Sequence, residues 1–184
     1  MSTLILVCGT SFAGKTTLAR HIAARFGHAE VDVDITKAEL FGPDVVDDTL
    51  ERVDWDRMYS DTDRRIAAHL DEGRTVIDAS RNFSRAERDH AREICRAHGA
   101  ELVTVFVDTP EEVTRHRLLA NRQSHERRDV TDEDFADVLA AWEPPAEDEH
   151  PIVFHSGDDV RSWLETNRDA LAGGQAVTET SRAP

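Results

Sequence analysis

Apolar positions along this chain fall into two alternating patterns, short unbroken runs and stretches with helical spacing, which together predict strands and helices in turn. Leu4, Ile5, Leu6, Val7 and Cys8 form a run suited to a strand buried on both faces, and Leu18, Ile22 and Phe26 then recur at helical spacing. A short strand is expected over 29–33, opening into a helical piece with Lys37, Leu40 and Phe41 that Gly42 and Pro43 end. Trp55, Met58, Tyr59, Ile66 and Leu70 predict a helix stopped by Gly73, and 75–78 a strand ending in a carboxylate. Ser84 reads as an N-cap with Glu87 three residues on, for a helix reaching about His98. A second clear buried run covers 102–107; Pro110 then suits a first helical turn, with Thr109 as its cap and Val113, Leu118 and Leu119 continuing. Phe135, Val138 and Leu139 predict a helix over 131–141 that Pro144 and Pro145 stop, followed by a strand at 152–154 and a helix over 158–171 carrying Val160, Trp163 and Leu164. Five strands separated by helices imply the α/β class, a parallel sheet with helices on both faces.

The chain has 184 residues, which suits one domain, here 1–171, with 172–184 read as a flexible polar tail. A formal net charge of -15 argues against a surface that coats a nucleic acid, and no apolar run approaches a membrane span. The N-terminus starts directly on the first strand with no secretory pattern, so a cytoplasmic location is expected. Cys8 and Cys95 read as small core residues, and no Cys/His cluster has zinc spacing.

Residues 9–17 read GTSFAGKTT, a full match to G-x-x-x-x-G-K-[ST] set between the first strand and the first helix. In that context the loop amides and the helix N-terminus present partial positive charge to phosphates. Gly9, Thr10, Ser11, Phe12, Ala13, Gly14, Lys15, Thr16 and Thr17 are therefore the candidate nucleotide-binding residues of a P-loop NTPase, with ATP and Mg²⁺ as the expected cofactors. Lys15 would reach the β- and γ-phosphates and Thr16 would join the Mg²⁺ shell, whereas Thr17 reads as a packing or backbone-bonding residue within the helix.

The carboxyl ends of parallel strands gather over one crevice, which puts Asp32, Asp34 and Lys37 near the phosphate loop. Asp34 is favoured over Asp32 as the base that accepts a hydroxyl proton, with Lys37 holding the acceptor. Asp78 is placed to hold Mg²⁺ directly or through water, or to bond the following loop, where Ser80, Arg81 and Asn82 could position acceptor or phosphate oxygens. Arg115, Arg117, Arg122, Arg127 and Arg128 cluster in one helix and the charged segment 121–130, which reads as a mobile lid able to neutralise a transferring phosphoryl group. Arg117 and Arg122 are the preferred pair, with Arg127 or Arg128 returning from the far side and Arg115 salt-bridged to Glu111 or Glu112. The acidic run Asp44, Asp47, Asp48, Glu51, Asp54, Asp56, Asp61 and Asp63 reads as a solvated cap or as a pocket for a cationic substrate. Trp55, Met58 and Tyr59 read as core or as an acceptor-stacking surface.

With GTSFAGKTT, DITKAELFG after the second strand, RHRLLANRQSHERRDVTDEDF and WEPPAEDE in place, the chain resembles a broad group of small P-loop kinases over roughly 3–164. That group includes predicted ATP-dependent kinases, chloramphenicol phosphotransferase and the kinase domains of polynucleotide kinases. The resemblance implies a sheet ordered 2-3-1-4-5, lid arginines after the fourth strand, and base contacts from 155–159. It also implies an aspartate followed three residues later by arginine; here Asp34 is followed by Lys37, which keeps the charge and loses the bidentate fork. The expected activity is transfer of the γ-phosphate to a hydroxyl of a small molecule, an antibiotic or sugar-like acceptor. The competing reading is a nucleotide-dependent switch that hydrolyses ATP slowly beside a protein partner.

Overall fold

Strands β1 (Thr3–Cys8), β2 (Ala29–Val31), β3 (Val76–Asp78), β4 (Glu101–Asp108) and β5 (Ile152–His155) pair in parallel in the order β2-β3-β1-β4-β5. This is the order the resemblance implies, seen in a computed structural model that describes residues 1–124 and 130–173. Arg127 and Arg128, and the expected tail from residue 174 onward, lie outside the described residues. The helices are α1 (Lys15–Phe26), α2 (Val33–Phe41), α3 (Arg52–Asp71), α4 (Arg85–Ala97), α5 (Glu111–Ser124), α6 (Asp132–Ala141), α7 (Val160–Thr166) and α8 (Arg168–Leu171).

The unbroken apolar run of β1 follows from its central place, because alternate side chains feed two cores. Ile5 and Val7 pack with Leu18 and Ile22 of α1, Trp163 and Leu164 of α7 and Leu171 of α8. Leu4 and Leu6 face the other way, onto Ile66 and Leu70 of α3 and Ala91 and Cys95 of α4. Both cysteines are buried, and burial pushes the Cys8 thiol up to about 12 and the Cys95 thiol up to about 11. Register sets Leu6 beside Asp78 and Asp78 beside Val31, so the loops after β1, β2 and β3 leave the sheet at one edge.

Local chemistry fixes the helix ends. Ser84 and Glu87 close a capping box at the start of α4, the Ser84 amide donating to Glu87 Oε2 at 2.9 Å and the Glu87 amide to Ser84 Oγ at 3.2 Å. Four elements differ from the pattern-based expectation. β2 ends at Val31, and Asp32 is the N-cap of α2, accepting from the Asp34 amide at 2.7 Å. Thr109 is drawn to the phosphate loop rather than to a cap, its hydroxyl donating to the Ala13 carbonyl at 2.9 Å. α5 runs on to Ser124 and buries Asn121. The last helix breaks at Asn167, whose side-chain amide donates to the Trp163 carbonyl at 2.9 Å. Among the described residues no helix is long and apolar enough to cross a membrane.

Much of the acidic run serves local structure. The Glu51 amide is held by Asp54 at the start of α3, Asp61 pairs with Arg64 and Arg65, and Asp63 pairs with Arg81 and His90. Met58 is core, and the Trp55 and Tyr59 rings pack 6.0 Å apart between centroids.

Candidate active site

The loop joining β1 to α1 has a backbone that its glycines permit. At Gly9, with φ 150°, an added Cβ would lie 2.8 Å from the Val107 carbonyl oxygen, so β4 approaches closely only because the side chain is absent. Phe12 and Gly14 also hold positive φ, at 61° and 109°. Lys15 Nζ reaches back over the loop to the carbonyls of Gly9 at 3.0 Å and Thr10 at 2.9 Å, and lies 5.1 Å from the Phe83 ring centroid. From α5, Arg117 Nη1 donates to the carbonyls of Phe12 at 3.1 Å and Ala13 at 2.7 Å, beside the Thr109 hydroxyl. The loop is therefore clamped from its α5 side by a guanidinium and a hydroxyl.

Two cavities meet across residues 12–14, which line both. The first, about 600 Å³, lies beside α1 and α5 and is lined by Thr17, His21, Arg117, Asn121 and Ser124, with Phe154, Ser156 and Gly157 from the end of β5. Its size suits a nucleoside, and its β5 side overlaps the base-contact segment that the resemblance implies. Thr17 is exposed to this cavity rather than packed. The second, about 480 Å³, opens on the other side of the loop and brings together Lys15, Thr16, Asp32, Asp34, Lys37 and Ser80. Asp47, Phe83, Thr131 and Asp134 complete its wall.

Within the second cavity Asp32 and Asp34 differ in environment. Asp34 is 74% exposed along its side chain and holds Lys37 Nζ at 3.2 Å, while Lys37 also donates to Asp47 at 2.9 Å. Burial pushes the Asp32 carboxyl above its ordinary range, with the Asp34 and Asp78 charges adding to the effect. Burial alone would lower the Lys37 pKa, but the bonds to Asp47 and Asp34 outweigh it and raise it. The oxygen set of Thr16 and Asp32 suits a hard divalent cation, whose charge would relieve the cost of burying Asp32. Gly9, Gly14 and the inward Lys15 likewise fit a triphosphate.

Asp78 sits one layer behind this wall, almost fully buried. Its carboxylate accepts from the Ser80 amide at 3.1 Å, the Ser80 hydroxyl at 2.8 Å, Arg81 Nε at 3.4 Å and Asn82 Nδ2 at 3.4 Å. It thus shapes the loop after β3 and does not line the cavity. Arg81 bridges Asp78 and Asp63 behind the same wall. Of the arginine cluster, Arg117 reaches the loop, Arg115 pairs with Glu111 at 2.8 Å, and Arg122 binds the Val130 carbonyl at 2.8 Å and Asp132 at 3.0 Å.

His21, Asn121, Phe83 and Asp134 also line these cavities, and no motif in the sequence marks them. The spacing of Gly14, Thr17, Leu18 and His21 marks one helical face below the loop and was a usable signal for His21. Phe83 carries no such signal, because a tertiary turn sets it under Lys15.

The AAA domain profile matches residues 4–145. A shikimate kinase of Nitratidesulfovibrio vulgaris is 33% identical over 139 residues, 74% of each chain. In structure, the Mycobacterium tuberculosis APS kinase CysC superposes with a TM-score of 0.65 at 17% identity, covering 92% of this chain and 97% of its own. Chaetomium thermophilum Kti12, in complex with ADP-AlF3, superposes with a TM-score of 0.68 at 17% identity, covering 92% and 100%.

Proposed function

Because this chain belongs to the AAA-domain family and is a small P-loop kinase of the shikimate-, sugar- and APS-kinase-like superfamily, we propose that it transfers the γ-phosphate of ATP, with Mg²⁺, to a hydroxyl of a small molecule. The observation that carries this reading is the pair of cavities meeting over residues 12–14, one of nucleoside size and the other holding Asp34. A module that only bound or slowly hydrolysed a nucleotide would need no second walled cavity at the γ-phosphate end.

The nucleoside lies in the cavity between α1 and α5, and its phosphates cross the loop toward the second cavity. Lys15 leaves the Gly9 and Thr10 carbonyls for the phosphate oxygens, with Phe83 beneath it to limit its swing. Thr16 and Asp32 would hold Mg²⁺, which would supply positive charge against the phosphate oxygens. Asp78 positions Ser80 and does not take the metal directly. Asp34 accepts the acceptor's proton as the new O–P bond forms and the bridging P–O bond to ADP breaks. Lys37, anchored by Asp34 and Asp47, orients that carboxylate. Arg117 holds the loop and faces the nucleotide, and Arg122 together with Arg127 or Arg128 supplies lid charge.

The test follows γ-labelled phosphate from ATP into a panel of sugars, amino sugars, nucleosides and antibiotic alcohols. Asp34→Asn is expected to reduce transfer by about 10²–10⁴-fold with nucleotide affinity retained. Slow hydrolysis indifferent to every acceptor and to Asp34→Asn would refute the proposal.

A further inference from the structure

Phe83 lines the second cavity, and among the contacts of Lys15 is the face of this ring, 5.1 Å from Nζ to the centroid. The backbone that presents the ring is fixed from behind. Asn82 is buried and takes φ 84°, a left-handed conformation, and its side-chain amide donates to Asp78 Oδ2 at 3.4 Å. Arg88 Nη1 donates to the Asn82 and Phe83 carbonyls at 3.3 Å each, so one guanidinium restrains both peptide units that flank Phe83. The Glu143 amide also donates to the Phe83 carbonyl, at 3.0 Å. Arg88 is in turn held by its fork onto the buried Glu149. Glu143 and Glu149 belong to the stretch between α6 and β5, so a segment 60 residues further along the chain, at about that separation, sets where the ring stands.

We propose that Phe83 is a positioning residue that acts through Lys15 on the β- and γ-phosphates, and that Arg88 holds its ring in place. The inference deepens the phosphotransferase reading and rests on its placement of the nucleotide at the loop. An aromatic face attracts an ammonium group and narrows the directions open to the flexible lysine stem. The aromatic character of residue 83 therefore matters to a nucleotide only through the phosphates that Lys15 serves. A monophosphate carries neither of them, so loss of the ring separates a triphosphate from a monophosphate.

The test titrates the full chain, with Mg²⁺, with a non-hydrolysable ATP analogue and separately with AMP, following backbone amides by NMR. Phe83→Leu, which keeps apolar bulk and loses the ring, is expected to weaken the analogue by about 3–30-fold and AMP by less than about twofold. Phe83→Tyr restores the aromatic face and is expected to bring the analogue back to within about threefold of wild type. The ε-methylene protons of Lys15 are expected to lie upfield in wild type under the ring and to return toward the free-lysine value in Phe83→Leu. Arg88→Met and the double variant Arg88→Met/Glu149→Leu both remove the bonds to the Asn82 and Phe83 carbonyls, and the second leaves no buried charge unpaired. Both are expected to show the same selective loss of the analogue. Equal weakening of the two nucleotides in Phe83→Leu overturns the inference, as does an unchanged analogue affinity, or a Phe83→Tyr as weak as Phe83→Leu. Wild-type affinity for the analogue in both Arg88 variants removes Arg88 from the role. Labelled-phosphate transfer separates the two ideas. Transfer that Asp34→Asn abolishes, with no selective loss in Phe83→Leu, would sink the positioning and leave the phosphotransferase standing. A selective loss without transfer to any acceptor would leave the positioning standing and remove the phosphotransferase.

Discussion

The buried Arg88–Glu149 pair predicts a stability hierarchy that can be measured directly. Among the described residues Arg88 is the largest fully buried side chain, with Nε 2.7 Å from Glu149 Oε2 and Nη2 3.0 Å from Oε1, a bidentate fork. Its remaining nitrogen donates to the Asn82 and Phe83 carbonyls at 3.3 Å each, and Glu149 also accepts the Ala146 amide at 2.9 Å. Glu149→Leu removes the carboxylate and leaves a guanidinium enclosed with two carbonyls and the Trp142 ring 6.0 Å away, with no opposing charge in the pair. Breaking such a pair costs about 3–5 kcal/mol, which for a chain of this size lowers Tm by about 6–20 °C. Arg88→Met is expected to cost less, because Arg85 and Arg92 remain 3.7 and 4.0 Å from the stranded carboxylate. The double variant Arg88→Met/Glu149→Leu is expected to be more stable than Glu149→Leu alone, since no buried charge is left unpaired. Thermal unfolding by circular dichroism orders the four proteins. A Tm for Glu149→Leu within about 2 °C of wild type, or costs that simply add in the double variant, would refute the reasoning.

The same pair sets a pH dependence. Burial would raise the Glu149 carboxyl, but the bonds from Arg88 and the Ala146 amide outweigh it and hold the pKa below the ordinary value of 4.5. A depressed folded-state pKa contributes stability that is present above 4.5 and lost as pH falls through the folded value. Wild type should therefore lose Tm more steeply than Glu149→Leu as the pH drops below that range.

Two further predictions concern β1 and the elements packed against it. Gly9→Ala is expected to lower both Tm and nucleotide affinity, because the added Cβ would meet the Val107 carbonyl at 2.8 Å; unchanged nucleotide binding by calorimetry would contradict the loop geometry. The Cys8 and Cys95 thiols, pushed up to about 12 and about 11 by burial, should react with a thiol reagent in native protein at neutral pH only as fast as the chain opens. Rapid labelling of either would show that its burial is not maintained.

The phosphate loop was legible because its chemistry is local: two glycines, a lysine and a hydroxyl at fixed spacing leave little for distant residues to decide. The Ser84 and Glu87 box and the buried β1 run were legible for the same reason, since capping and double-sided burial leave patterns within one segment. Position at the ends of neighbouring strands also brought Asp34, Lys37 and Ser80 to the same cavity, as parallel topology requires. Partnership across the chain was not legible. Asp32 and Asp34 look alike in sequence, yet one caps α2 under partial burial and the other lies exposed beside Lys37. Thr109 looks like a cap until β4 delivers it to the Ala13 carbonyl, and Asp78 reads equally as a metal holder or a loop anchor, its bonds to Ser80, Arg81 and Asn82 being invisible in the sequence. Arg88 looks like one more surface charge on a charged helix, and its burial depends on the opposing charge of Glu149, 61 residues away. Sequence spacing thus fixed the loop and the order of elements, whereas the depth and pairing of each charge depended on contacts between distant segments, which set the local dielectric and the available partners.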